Sequence, residues 1–214
     1  MEYTEELAEI VGIMLGDGCL YKEKKGNKYQ TTITSHKQER PYVESIKLLF
    51  ENYFGYKFCI IKIKSALQLR NGSKFIGERL IEAGLTPGNK VINKKEIPNW
   101  IFEDEKYILK VVKGLFDTDG SIYRKYAHYA QIEFKFGCFE TTNSVRRAIK
   151  YLGYNPTKVM KYLNKAKGFW AWKFYLSRQG EIDDFFKYVN PRNRKHIIRF
   201  NKIRNGDVGI RTQI

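Results

Sequence analysis

The sequence predicts an α+β fold in which one plan is used twice, each half running α-β-β-α-β-β-α. Three features predict it. A nine-residue motif recurs about half a chain apart, as Ile10-Val11-Gly12-Ile13-Met14-Leu15-Gly16-Asp17-Gly18 and as Val112-Lys113-Gly114-Leu115-Phe116-Asp117-Thr118-Asp119-Gly120. The same order of apolar periodicities follows each copy. Polar and apolar residues alternate within the strand stretches, so each sheet has one face for helices and one for water.

The elements follow in order. Thr4 suits a helix cap, Glu5 and Glu6 suit its first turn, and Leu7, Ile10, Val11, Met14 and Leu15 recur at helical spacing until Gly18, the expected stop. Asp104 and Glu105 open the second copy, Tyr107, Ile108, Val111, Val112 and Leu115 give its stripe, and Gly120 stops it. Short strands near Cys19–Lys24 and Ser121–Lys125 come next, with a turn rich in lysine and glycine after the first. Strands Gln30–Ser35 and Gln131–Phe136 precede helices around Tyr42–Tyr53 and Ser144–Leu152. Strands near Phe58–Lys64 and Leu67–Arg70 answer Lys158–Leu163 and Phe169–Ser177. Helices Lys74–Ala83 and Glu181–Tyr188 close the halves. The expected division is 1–100, 101–204 and a polar tail at 205–214.

Composition narrows the partners. Of 214 residues, 43% are hydrophobic, enough for a core. Lys and Arg number 39 against 23 Asp and Glu, a net charge of +16. Such a surface meets phosphate. One carboxylate per motif copy in so basic a chain implies a paired acidic site facing a polyanion. Cys19, Cys59 and Cys138 form no CxxC pair, which points to reduced thiols and away from structural zinc. The acidic start Met1-Glu2-Tyr3-Thr4-Glu5-Glu6 and the short apolar run behind it resemble neither a signal peptide nor a membrane span, so a cytoplasmic protein is expected.

The two motifs, their spacing and the repeated element order resemble the single-chain, two-motif form of the LAGLIDADG homing endonucleases, over roughly Leu7 to Lys202. The resemblance implies two pseudo-twofold related halves whose curved antiparallel sheets form a DNA-binding saddle. The motif helices would pack together at the axis, with Gly12 and Gly114 allowing close approach and Gly16 and Thr118 one turn on. It implies a monomeric, Mg²⁺-dependent endonuclease of double-stranded DNA, with Mn²⁺ as a substitute. Asp17 and Asp119 would hold the metal and the carbonyls of Gly16 and Thr118 would add ligands. The basic loops Thr86-Pro87-Gly88-Asn89-Lys90 and Asn190-Pro191-Arg192-Asn193-Arg194-Lys195 match in position, making Lys90 and Lys195 the candidates for stabilising charge on phosphate; Lys37 is a weaker one. Alternation and family register turn Tyr21, Glu23, Gln68, Arg70, Tyr123, Lys125, Gln131, Glu133, Lys135 and Lys173 toward DNA. Asp117 has no counterpart in the first motif, where Leu15 stands, and receives no catalytic role.

Other readings remain at this point. Asp119, Glu133 and Lys135 spell the D…E-x-K pattern of a different metal-dependent nuclease superfamily, which leaves Asp17 and the duplication unexplained. Within the resembled family, an intron RNA maturase or a catalytically silent DNA-binding protein would share the fold. His36, His128 and His196 are scattered and are expected to be surface or packing residues.

Overall fold

The structure is a computed structural model that describes residues 2–23, 28–164 and 168–205. The first half comprises α1 (Glu5–Leu15), β1 (Gly18–Lys22), β2 (Tyr29–His36), α2 (Arg40–Phe54), β3 (Cys59–Ile63), β4 (Ala66–Asn71) and α3 (Lys74–Glu82). The second comprises α4 (Glu105–Asp119), β5 (Gly120–Tyr126), β6 (Tyr129–Phe136), α5 (Phe139–Tyr151), β7 (Met160–Asn164), β8 (Phe169–Leu176), α6 (Gln179–Tyr188) and α7 (Arg194–Arg204). Two short 3₁₀ turns, Lys37–Glu39 and Asn99–Glu103, precede α2 and α4. The α-β-β-α-β-β-α order holds in both halves, and the second adds α7.

Each half builds one four-stranded antiparallel sheet. Their orders are β1-β2-β4-β3 and β5-β6-β8-β7, the same topology twice. In the first sheet Leu20, Ile33, Leu67 and Leu69 are buried under the helices; in the second Ile122, Ile132, Phe134, Phe174 and Leu176 are. Aromatic rings fill the second core: Phe134 stacks on Phe174 at 5.2 Å, and Phe116 meets Phe185 edge-on at 4.9 Å. The period-two alternation thus does what it should: it sends one face of each sheet into the core and leaves the other open.

The motif helices form the central contact between the halves. The Leu7 N–H donates to Thr4 Oγ1 at 3.2 Å, and the Lys106 N–H to Asp104 Oδ1 at 2.8 Å, so both expected caps form. Helix α1 is buried nearly all round, from Leu7 to Leu15, because it lies inside the molecule. The helices touch through backbone. A Cβ added to Gly114 would lie 2.5 Å from the Glu9 carbonyl oxygen and 2.7 Å from the Ile13 nitrogen, and one on Gly12 would strike the Val111 carbonyl. Gly114→Ala therefore forces the helices apart, since a rigid backbone cannot swing away as a side chain can. Overpacking of this kind costs about 3 kcal/mol, read as a lower urea midpoint at unchanged slope.

Three expectations need correction here. Helix α1 ends at Leu15, capped at Gly16, and not at Gly18, which already begins β1. Both turns are tight: a Cβ on Gly18 would meet Met14 and one on Gly120 would meet Phe116, yet α1 ends two motif positions earlier than α4. Helix α7 has no place in the sequence-derived plan. Nearly half of it is Lys and Arg, and it buries few residues, among them His196 and Ile203, so its apolar stripe is too thin to show. Strand β5 carries a register shift between Arg124 and Tyr126, so Tyr126 rather than Lys125 stands opposite Tyr129, and the alternation argument fails for Lys125. Lys24 and the expected turn after it, together with all of the tail beyond Asn205, lie outside the described residues. No helix among the described residues is long and apolar enough to cross a membrane.

Candidate active site and sheet face

The ends of α1 and α4 bring the two motif carboxylates together. Asp119 closes α4, and Asp17 follows α1, its carbonyl accepting from the Thr34 N–H at 3.3 Å. A Cβ on Gly16 would lie 2.9 Å from Asp119 Oδ2 and would overlap the Thr118 hydroxyl. Glycine at this position lets the second half's carboxylate settle against the first half's backbone. Among the described residues neither carboxylate is given a hydrogen-bond donor, in contrast to Asp117 and Glu39 nearby.

Burial pushes the Asp17 carboxyl up to about 6, although Lys90 and Lys195 pull it down. Burial also raises Asp119, with the Asp17 charge adding to it. Two such buried carboxylates favour a cation beside them. The fit to a hard divalent cation follows from the donor set: two carboxylates and nearby carbonyls are oxygen donors, which suits Mg²⁺, an ion that keeps several waters and takes substrate phosphate. No group of three or more His, Cys, Asp or Glu side chains gathers among the described residues.

The raised acids give a signed expectation. Their folded state holds protons more tightly than the unfolded chain, so between about pH 4 and the folded values stability falls as pH rises. Asp17→Asn removes that penalty. Without metal, the variant melts above wild type at pH 7 and 8, and the gap closes toward pH 4, as measured by calorimetry.

The two candidate lysines arrive by different routes. The loop after α3 turns at Gly88, whose φ of +93° is one that side chains resist and whose N–H donates to the Leu20 carbonyl at 2.9 Å. This places Lys90 so that its ammonium donates to the Gly16 carbonyl. That carbonyl, expected to ligate metal, is thus already engaged by a lysine. Burial lowers the Lys90 ammonium below the ordinary lysine value, opposed by Asp119 and Asp17. Thr118 turns its hydroxyl back to the Gly114 carbonyl at 2.9 Å.

Lys195 sits in the first turn of α7 and pairs with Glu39 at 2.5 Å. Glu39 also accepts from Ser35 Oγ at 2.5 Å and Asn193 Nδ2 at 3.2 Å. Burial alone would raise its acid, but Lys195, Ser35 and Asn193 more than offset this and bring it down to about 2. Asp117, fully buried, accepts from the backbone N–H groups of Arg192 and Asn193, each at 2.9 Å. Arg192 then reaches Glu9 of α1 at 2.7 Å. The unmatched acid of the second motif therefore holds the loop that carries Lys195. His196 is wholly buried against Phe116, their ring centroids 4.5 Å apart, and burial drops it to about 3, so it is a neutral packing residue.

Glu39 is the residue that sequence reasoning missed. Its only signal was an acid beside the strand end in a basic chain. Glu39→Gln leaves Lys195 without its charged partner. Were the site to cut duplex DNA, cleavage in single turnover would be expected to fall about 10–100-fold, the usual cost of losing an outer partner of a site group, with duplex affinity near wild type.

The open sheet face carries most of the residues that the sequence reading expects to meet DNA. Tyr21 stands exposed on β1, with Glu23 just past its end. Gln68 and Arg70 share the open face of β4, where Arg70 Nε donates to Gln68 Oε1 at 2.8 Å. On the second sheet Glu133 pairs with Lys173 at 3.4 Å and Lys135 at 3.8 Å. Those pairs occupy the Glu133 and Lys135 of the D…E-x-K pattern. Gln131 lies on this face but is buried: its Oε1 accepts from Tyr123 OH at 2.7 Å and its Nε2 donates to Ser177 Oγ at 2.6 Å. It is a brace for Tyr123 rather than a free reader. Lys37 is exposed in its 3₁₀ turn.

Comparisons agree with this architecture. No family model matches the chain. A doubly substituted variant of the homing endonuclease I-DmoI, in complex with its target DNA nicked in the coding strand and in the presence of manganese, is similar with a TM-score of 0.64 and 20% identity, over 87% of this chain and 96% of that one. The LAGLIDADG homing endonuclease I-GzeII, in complex with a DNA target, is similar with a TM-score of 0.57 and 12% identity, over 95% and 89%. Full-length DUF199/WhiA from Thermatoga maritima is similar with a TM-score of 0.59 and 15% identity, over 98% and 64%. The uncharacterized protein MJ0314 of Methanocaldococcus jannaschii is 25% identical over 119 residues, which is 56% of this chain and 42% of that protein, so the match spans less than half of the curated relative. The chain has the two-half α+β fold of the LAGLIDADG homing endonucleases.

Proposed function

We propose that this protein is a site-specific endonuclease that cleaves both strands of a long DNA target by divalent-metal-dependent phosphodiester hydrolysis. The observation that carries the reading is the pair Asp17 and Asp119, brought together at the ends of the two motif helices with no hydrogen-bond donor among the described residues, and with Lys90 and Lys195 flanking them. Solved neighbours bound to DNA with manganese or calcium support duplex DNA as substrate and divalent-metal use.

In this reading Asp17 and Asp119 would hold Mg²⁺, or Mn²⁺ in its place. The ion would supply polarisation of the phosphoryl oxygen and a more acidic water. Lys90 and Lys195 place positive charge where the scissile phosphates collect negative charge. Glu39, Asn193 and Asp117 hold Lys195 in position. The two open sheet faces bind the duplex, phosphates fixing register and base edges giving sequence preference. One chain carries both halves of the site, so it acts as a monomer, and the cytoplasm is where we place its DNA.

The test is a cleavage selection on a randomised duplex library with Mg²⁺, compared with Ca²⁺. A single recovered target family, cut in both strands, is the expected result. Absence of product from any duplex overturns the proposal, and tight binding of intron RNA in its place would favour the maturase.

A further inference from the structure

The open face of the first sheet changes character at its edge. Strand β3 is the last in the order β1-β2-β4-β3, so it lies farthest from the strand that follows Asp17. Its register pairs Cys59 with Arg70, Ile61 with Gln68 and Ile63 with Ala66. Paired residues of antiparallel strands share a face, so Ile61 and Ile63 stand on the face of Gln68 and Arg70, away from the core. Both are more than a third exposed, 39% and 38%. The same positions of the second sheet's edge carry Met160 and Tyr162, and Tyr162 lies under Lys173 at 4.2 Å and within 5.9 Å of Lys135. At the second edge the residue matching Ile63 is thus a cation-covered ring and the one matching Ile61 an exposed Met160, whereas the first edge carries two branched aliphatic side chains.

Branched aliphatic side chains on the open side of an edge strand invite aggregation unless something covers them. What covers them must also accept Arg70 and Gln68 alongside, on a protein of net charge +16. Duplex DNA satisfies both demands. Its major groove offers phosphates and base edges to the polar residues, and one apolar group, the thymine C5-methyl, to the isoleucines. We propose that Ile61 and Ile63 read thymine methyl groups, which makes the outer part of the first half-site thymine-rich and chemically unlike its counterpart. This rests on the DNA reading of the sheets and adds to it the base class that one strand selects.

The experiment has two arms. A randomised duplex library is selected for binding in Ca²⁺ by wild type and by the Ile61→Ser/Ile63→Ser variant, with circular dichroism confirming that the variant is folded. The recovered wild-type site is then remade with deoxyuridine for thymine at the outer positions, which removes only the methyl. Thymine is expected to be enriched there for wild type and not for the variant. Each deoxyuridine should weaken wild-type binding about fourfold, the equilibrium equivalent of burying one methyl-sized group. The deoxyuridine arm needs no variant, so a misfolded protein cannot decide it. Enrichment of a site with no thymine bias, or equal affinity for deoxyuridine and thymine, overturns this inference and leaves the endonuclease reading intact. Neutral deoxyuridine together with wild-type self-association that the serine variant abolishes assigns the face to a second copy, and also overturns it. Failure to enrich any duplex overturns both.

Discussion

Asp119→Asn is expected to bind its duplex near wild type and to cleave it about a thousandfold more slowly, equal to about 4 kcal/mol of barrier. Asn keeps the shape and one carbonyl oxygen, so α4 still ends where it does and Gly16 still packs against it. The substitution removes one of two negative charges from a site whose task is to hold a divalent cation beside phosphate. Asp17→Asn should behave in the same way. The carboxylates lie together at the ends of the helix pair, so either change should slow both strands, not the nearer one alone. The measurement is nicking and double-strand cleavage of a supercoiled target plasmid in Mg²⁺, beside a binding titration in Ca²⁺. Cleavage near wild type would remove the pair from catalysis. Loss of binding would mean that the acid serves mainly to shape the helix ends.

Duplex affinity should collapse with salt, by about 10³–10⁵ between 50 and 200 mM monovalent ions, as it does for proteins that neutralise several phosphates. The basis is the excess of 39 Lys and Arg over 23 Asp and Glu. Some of those cations are already paired within the protein. Lys195 is paired with Glu39, Arg192 with Glu9, and Lys173 with Glu133. The slope of log affinity against log salt therefore counts the cations that actually reach phosphate. Removing an exposed phosphate-binding lysine should lower the slope by about one and weaken all sequences alike, while replacing Arg70 should alter preference at particular base pairs. A flat titration would mean that the sheets do not lie along DNA.

The sequence by itself determined the element types, their order and the carboxylate pair. Each rests on local information: a periodicity of 3.6 or 2, a capping Thr4 or Asp104, or a glycine that allows helices to touch. The motif also placed Asp17 and Asp119 beside each other, because two matching helices that pack through Gly12 and Gly114 carry their ends together. The tertiary structure alone decided the rest. Glu39 and Lys195 meet only when the last helix folds back onto the first half, and no spacing rule connects positions so distant in the chain. Asp117 looked idle because its partners are backbone N–H groups of a loop, which sequence does not mark. Gln131 sits on the open face by parity, yet its amide is used up by Tyr123 and Ser177, since alternation gives direction but not which neighbour fills a hydrogen bond. Lys125 lost its place to a bulge, a one-residue shift that inverts parity. The aliphatic edge of β3 could be read as strand from its residues, but only the register showed that Ile61 and Ile63 face outward beside Arg70, where burial cannot account for them.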